Sequence, residues 1–214
     1  QKGEIYNTYG GLEPRMGVNY TFSPRHSVKA SYSRTRQYLL IASNSNSGTP
    51  LDVWVSANPN IKPQVADQYS LGYFRNFLDN RIETSVELYY KNMQNQIAFD
   101  EFAQPQFNPD MEEDLRFGKG RAYGLELLGR HKDLAGFNVV FSYTLVFSEF
   151  KGNEEGYIPT AWDNRHLLNI TATRSFKKNW DVGFKWRLVG GAPYTPFDLN
   201  RSSIKEAWNL QGLA

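Results

Sequence analysis

Phe137-Asn138-Val139-Val140-Phe141-Ser142-Tyr143-Thr144-Leu145-Val146-Phe147 is the stretch on which the fold turns. Phe137, Val139, Phe141, Tyr143, Leu145 and Phe147 alternate with a set that includes Asn138, Ser142 and Thr144. Side chains of a strand point to opposite faces in turn, so a period of two describes a strand with one apolar and one polar face. The same period continues downstream. His166, Leu168, Ile170 and Ala172 oppose Leu167, Asn169, Thr171 and Thr173, and Trp180, Val182, Phe184, Trp186 and Leu188 oppose Asp181, Gly183, Lys185 and Arg187.

Upstream, Tyr123, Leu125 and Leu127 stand against Gly124, Glu126 and Arg130, and Ile82, Val86, Leu88 and Tyr90 against Glu83, Ser85, Glu87 and Lys91. Tyr69, Leu71 and Tyr73 face Gln68, Ser70 and Gly72; Val28, Ala30 and Tyr32 face Lys29, Ser31 and Ser33; Pro14, Met16, Val18, Tyr20 and Phe22 face Arg15, Gly17, Asn19 and Thr21. About eight strands of roughly nine to eleven residues are expected, and no helix. The connections alternate in length. Short turns fall at residues 23–26, 76–80, 132–136 and 177–179. Long stretches at 35–62, 94–118 and 149–160, with a tail from Gly190, are rich in Asn, Pro, Gly, acidic and aromatic residues. Long loops are therefore expected to cluster on one rim.

Composition narrows the class. The 214 residues make one domain or a piece of a larger one, and 24 Lys+Arg against 22 Asp+Glu leave a formal charge of +2, which gives no sign of a nucleic-acid partner. No apolar run approaches the roughly 18 residues of a membrane-spanning helix. Cysteine is absent, which removes disulfides, thiolate nucleophiles and Cys-ligated metal sites. The chain opens at Gln1 with no charged and apolar leader pattern, so a signal peptide is expected to be absent or already removed, or Gln1 to be a boundary within a longer chain. Thirteen Tyr, fourteen Phe and five Trp are the anomaly that asks for an explanation.

Both a soluble sandwich and a transmembrane barrel alternate, since a sandwich turns its apolar face to a second sheet and a barrel turns it to lipid. Three features favour the barrel. Full charges occupy the face opposite the apolar one at Arg15, Lys29, Glu83, Glu87, Lys91, Glu126, Arg130, Lys185 and Arg187, as a lumen lining would. The strand length and the short-turn and long-loop rims match outer-membrane topology. Aromatics such as Tyr20, Phe22, Tyr90, Phe137, Trp180 and Trp186 sit near strand ends, where interfacial girdles form. Near-equal lumen charge is expected to leave little selection by ionic sign.

If the short turns are periplasmic, the first strand runs down from the long-loop rim and the last runs back up, which places both chain ends outside the cell. Small self-standing outer-membrane barrels begin and finish in the periplasm, and a sheet left open in lipid exposes about ten backbone groups per edge at several kcal/mol each. The expectation is an interior segment of a larger barrel. The ending Gln211-Gly212-Leu213-Ala214 also lacks a terminal aromatic residue.

Several motifs carry a family likeness. They are Leu12-Glu13-Pro14-Arg15, Ser31-Tyr32-Ser33-Arg34-Thr35-Arg36-Gln37-Tyr38, Asn60-Ile61-Lys62-Pro63-Gln64-Val65-Ala66-Asp67-Gln68 and Leu88-Tyr89-Tyr90-Lys91-Asn92-Met93. Gly118-Lys119-Gly120-Arg121-Ala122-Tyr123-Gly124-Leu125-Glu126, Trp162-Asp163-Asn164-Arg165-His166 and Gly190-Gly191-Ala192-Pro193-Tyr194-Thr195-Pro196 follow in order. In these motifs the chain resembles TonB-dependent outer-membrane receptors of the Bacteroidetes type over nearly its whole length. The resemblance implies an all-β, antiparallel transmembrane barrel segment from the C-terminal part of a barrel of about 22 strands. It further implies location in the bacterial outer membrane and TonB-powered uptake of a scarce nutrient: siderophore, cofactor, glycan or peptide. Residues 1–214 would be partial barrel, with the plug, the TonB box and the closing strands outside them. Partners would be membrane lipid, a small nutrient ligand, the TonB complex through that plug, and in some systems a surface lipoprotein.

Other chemistries are weaker. Gly118-Lys119-Gly120 lacks the spacing and helix of a phosphate loop, and Gly120 and Gly124 are better read as positions of close strand approach. His26 and His131 lie in or beside short turns and His166 faces outward by parity, so no catalytic triad, no metal and no cofactor is expected. Asp110, Glu112, Glu113 and Asp114 lack EF-hand spacing and are read as a solvated loop rather than a calcium site. The charges of the Trp162 motif are expected to neutralise one another inside the lumen. Ligand contact is assigned instead to aromatics of the long-loop rim: Tyr38, Trp54, Phe99, Phe102, Phe107, Tyr157, Trp162 and Tyr194. Two rival architectures remain, a closed eight-stranded barrel serving as anchor, adhesin or hydrolase, and a soluble sandwich binding module.

Overall fold

The computed structural model describes residues 7–42, 53–99, 112, 115–152, 155–194 and 199–204. In chain order the elements are β1 (Arg15–Ser23), β2 (His26–Gln37), β3 (Leu39–Ala42), β4 (Val53–Ser56), β5 (Gln64–Phe77), β6 (Ile82–Phe99), β7 (Leu115–Leu134), β8 (Phe137–Lys151), β9 (Ile158–Pro159), β10 (His166–Phe176), β11 (Trp180–Val189) and one helical turn, α1 (Leu199–Ser202). The eight long strands pair antiparallel in the order β1-β2-β5-β6-β7-β8-β10-β11. Each long strand therefore lies beside its predecessor, the meander that alternating short and long connections build. Within the described residues β1 and β11 end the sheet without pairing to each other.

Register explains why the alternation is so regular. Tyr32, Tyr69, Tyr90 and Tyr123 are successive cross-strand partners, and Phe147 completes their row. The next row on the same face is Ala30, Leu71, Leu88, Leu125 and Leu145. Below it, Val28, Tyr73, Val86, Leu127, Tyr143, Leu168 and Leu188 run across seven strands. A one-residue slip at any ladder would mix apolar and charged side chains, so the pattern holds the register. Because these three rows are continuous, the sheet has one apolar face and one polar face over their height.

That apolar face is not covered by protein. Among the described residues, buried apolar side chains are confined to Leu40, Val55, Ile61 and Leu115, whereas Met16, Val18, Tyr20, Leu71, Leu88, Phe184 and Trp186 are exposed. The accessible surface is 15912 Å², against about 10,000 Å² for a compact soluble protein of the same mass. The eight long strands form one continuous sheet rather than two facing ones, which excludes the sandwich packing.

Strand lengths depart from the sequence expectation. β1, β10 and β11 have 9, 11 and 10 residues, but β6 has 18 and β7 has 20. The expected loop over 94–118 is thus largely strand at both ends, and the expected loop over 35–62 contains the two-stranded sheet of β3 and β4. The cause is local: Asn95 takes a left-handed φ of 55° in a bulge that shifts the β6–β7 register between Gln94 and Gln96. The extra residue interrupts the period of two without ending the strand. Tilted at about 40°, twenty residues rise about 50 Å, twice the roughly 25 Å apolar band of an outer-membrane barrel.

Candidate functional site

On the polar face the ladder brings the charged positions into rows. Lys29 pairs with Gly72, Gly72 with Glu87 and Glu87 with Glu126. Two carboxylates thus stand directly opposite, a repulsive arrangement that a neighbouring cation relieves. Lys91 lines the same depression of about 240 Å³, together with Gln68, Ser70, Glu87, Tyr89 and Glu126. Nearer the short turns, Glu83 accepts Lys132 Nζ at 2.6 Å and Arg130 Nη1 at 3.3 Å. Arg15 opposes Ser33, Lys185 opposes Thr171 and Arg187 opposes Asn169. All nine charged positions named from the sequence share this face by register. Six of them are cations (Arg15, Lys29, Lys91, Arg130, Lys185, Arg187) and three are carboxylates.

The long-loop rim is built from projecting strands and a packed hairpin. Leu40 and Val55 are cross-strand partners of β3 and β4 and are buried with Ile61 and Leu115, with Ile97 packed against them. That small core ties the hairpin to the extensions of β6 and β7. Asn58 Oδ1 accepts the backbone N–H of Asn60 and of Ile61, each at 2.9 Å. Its side-chain amide donates to Glu112 Oε1 at 2.6 Å, and Asn60 donates to Glu112 Oε2 at 2.9 Å. Glu112 therefore braces a loop; Asp110, Glu113 and Asp114 of the acidic run lie outside the described residues. The opposite face of the hairpin shows Ile41 beside Trp54, which is 59% exposed.

A second rim feature is the turn before β10. Asp163 is buried and accepts Arg165 Nε at 3.1 Å, Arg165 Nη2 at 3.0 Å and the Ser148 N–H at 3.3 Å. The Arg165 guanidinium lies 4.0 Å over the Phe147 ring. The pair expected to neutralise inside the lumen forms, but on the apolar side of the sheet, where Phe147 points. It braces the turn that carries Trp162, which is 61% exposed.

Of the rim aromatics named from the sequence, Tyr38 lies between β2 and β3, Trp54 on β4, Trp162 before β10 and Tyr194, 84% exposed, beyond β11. They share a rim but occupy separate connections, and none of these four stacks on another ring among the described residues. Phe99 is the last residue of β6, opposite Leu115, rather than a loop residue. Tyr157 lies under Arg121 at 4.0 Å. Phe102 and Phe107 fall outside the described residues. The sequence names Glu87 and Glu126 as charges of one face and expects the Trp162 motif to neutralise its own, but it shows neither the burial of Asp163 nor that the two glutamates stand opposite each other. The first depends on packing and the second on register, and alternation supplies neither.

Gly118, Lys119 and Gly120 lie inside β7 rather than in a turn between a strand and a helix. His26 Nδ1 and His166 Nδ1 each meet a tyrosine hydroxyl, of Tyr73 at 2.7 Å and of Tyr143 at 2.8 Å. Those contacts lie on the apolar face and assemble no triad.

A single sheet with a continuous uncovered apolar face, a charged opposite face and long strands on one rim is the wall of a transmembrane barrel. The model of the TonB dependent receptor-like β-barrel family matches residues 2–211, and the chain belongs to that family. No curated protein matches the chain in sequence. Among solved structures it is similar to the ferripyoverdine receptor of the Pseudomonas aeruginosa outer membrane, at 19% identity and a TM-score of 0.58, over 84% of this chain and 23% of that one. It is also similar to the ferric-catecholate import receptor Fiu of Escherichia coli K12, at 19% identity and TM-score 0.57, over 82% and 24%. The alcaligin outer-membrane receptor FauA of Bordetella pertussis gives 20% identity and TM-score 0.54, over 83% and 29%. At these identities the likeness is one of fold. The chain spans about a quarter of the length of each receptor.

Proposed function

We propose that the chain is part of the barrel of a TonB-dependent receptor of the Bacteroidetes type, drawn from the later strands of a barrel of about 22. The receptor lies in the bacterial outer membrane and takes up a scarce nutrient. The carrying observation is the continuous apolar face, in register across the whole sheet, beneath strands that project well beyond a bilayer on one rim only. Plug, TonB contact and closing strands belong to the rest of that receptor, and a surface lipoprotein is a compatible further partner. Both sheet edges are unpaired in the described residues, which favours a larger barrel over a closed eight-stranded one.

Capture is assigned to the rim and passage to the polar face. The surplus of cations there suits an anionic ligand, and ferric chelates of catecholate siderophores are anionic. Trp54 and Trp162, held outward by the hairpin core and the Asp163 brace, are the contacts proposed for the chelate rings. The test uses the full-length receptor and a ferric catecholate probe. Trp54→Ala and Trp162→Ala are expected to weaken binding about tenfold each, with the unboiled, fast-migrating band on gels intact. Unchanged affinity in both variants removes the rim aromatics from the proposal.

A further inference from the structure

The apolar face near the tops of β6, β7 and β8 carries two adjoining hollows. The lower, of about 490 Å³, is floored by Leu88, Leu125 and Leu145 and walled by Tyr90, Tyr123 and Phe147. The upper, of about 580 Å³, is bounded by Gln94, Phe117, Lys119, Lys151 and Tyr157. Arg121 joins them: it lines the lower hollow and stacks on Tyr157, which lines the upper. Going up the strands, the surface thus changes from aliphatic floor to aromatic wall to cations.

Among the described residues, no carboxylate compensates the lysines of the upper hollow. Lys119 and Lys151 are direct cross-strand partners on one face, an arrangement that destabilises a ladder unless an anion sits between them. Arg121 is neutralised by Glu149, and Arg34 by Asp67 in the same tier. Among the described residues, Lys151 Nζ meets the backbone carbonyl of Glu155, at 3.2 Å, and neither lysine pairs with a carboxylate. Rows of aromatics mark the level where a bilayer ends, so the lysines stand at headgroup height above an acyl-depth groove.

We propose that the two hollows form one site for an anionic lipid of the outer leaflet, with its chains along Leu88, Leu125 and Leu145 and its phosphate between Lys119 and Lys151. The site lies on the opposite face from Lys29, Glu87 and Lys91, so a ligand in the lumen does not reach it. This assignment rests on the reading that the apolar face meets lipid. It does not depend on which nutrient is carried.

Native mass spectrometry of the full-length receptor in neutral detergent tests it, with a bisphosphorylated disaccharide lipid (lipid A) as probe. Lys119→Gln combined with Lys151→Gln is expected to lower retention of that lipid about tenfold, since each phosphate contact is a charge-assisted hydrogen bond. The same lipid with its phosphates removed should be held weakly by both proteins. Equal retention by wild type and double variant overturns the site. If the variant does not assemble, wild-type protein alone decides: equal retention of the phosphorylated and dephosphorylated lipids overturns it. Complete displacement by inorganic phosphate makes this a free-anion site and overturns the lipid assignment. Loss of heat modifiability in the wild type would instead indict the barrel reading, and the nutrient reading fails separately, in the tryptophan variants.

Discussion

Gly124 sits in β7 where a side chain has no room. A Cβ built there lies 2.1 Å from the Leu145 carbonyl oxygen and 2.8 Å from the Tyr89 hydroxyl, whereas at Gly17 the nearest atom is 4.0 Å away. Gly124→Ala is therefore expected to cost about 1–3 kcal/mol by overpacking, and Gly17→Ala close to nothing. The temperature at which the folded, fast-migrating band disappears checks the pair; equal midpoints would show that the β7–β8 contact yields. Asp163 offers a second test at this scale. Its carboxylate satisfies Arg165 and the Ser148 N–H while buried, and Arg165 is itself held at a left-handed φ of 55°. Asp163→Asn exchanges a charge-assisted acceptor for a neutral amide at a cost of about 1–3 kcal/mol. The loss is confined to the turn before β10, so it should appear as faster protease cleavage between residues 155 and 165 while the sheet stays intact.

Elements divide into those held by neighbours and those held by ladders. The β3–β4 hairpin depends on Leu40, Val55 and Ile61, the described core. Leu40→Ala or Ile61→Ala opens a cavity worth about 2–5 kcal/mol, enough to release the hairpin. Leu71→Ala on the uncovered face is expected to cost much less, because lipid chains fill what the side chain leaves. Amide hydrogen exchange over residues 53–61 separates the cases: fast in the first two variants, native-like in the third. The same division explains what the sequence could show. All eight long strands were legible because one face is uniformly apolar, and a period of two survives wherever no bulge intervenes. The upper half of β6 was not, because the Asn95 bulge reverses parity there, and that of β7 was not, because Lys119 and Arg121 continue the face of Tyr123 with charges. Nor was the hairpin, since Leu39, Leu40 and Ile41 are consecutive apolar residues whose sidedness only packing decides. At the site, alternation placed the nine charged residues on one face, but facing partners such as Glu87 and Glu126 follow from register, which no single strand contains.

For the whole molecule the decisive quantity is which face meets which solvent. A chain with about 16,000 Å² of surface and, among the described residues, four buried apolar side chains is held together chiefly by backbone ladders. In water its apolar face would cost about 25 cal/mol for each Å² left uncovered, a penalty that a bilayer removes. The chain contains no cysteine, so single substitutions report on position without interference from this segment. Val18→Cys, Leu71→Cys and Val182→Cys, on the apolar face of three strands, should be reached in native outer membranes by a lipid-soluble maleimide and spared by a membrane-impermeant charged one. Ser31→Cys, Ser70→Cys and Thr173→Cys, on the polar face, should show the reverse once the lumen is accessible. Positions above the bilayer, such as Trp54→Cys, should react with the charged reagent in intact cells, because the hairpin stands on strand extensions that rise well past the apolar band. Equal labelling of both faces by the charged reagent would mean that the apolar rows do not contact lipid. The rim assignment and the outer-leaflet site would then fall with the barrel, because all three depend on the same two-faced sheet.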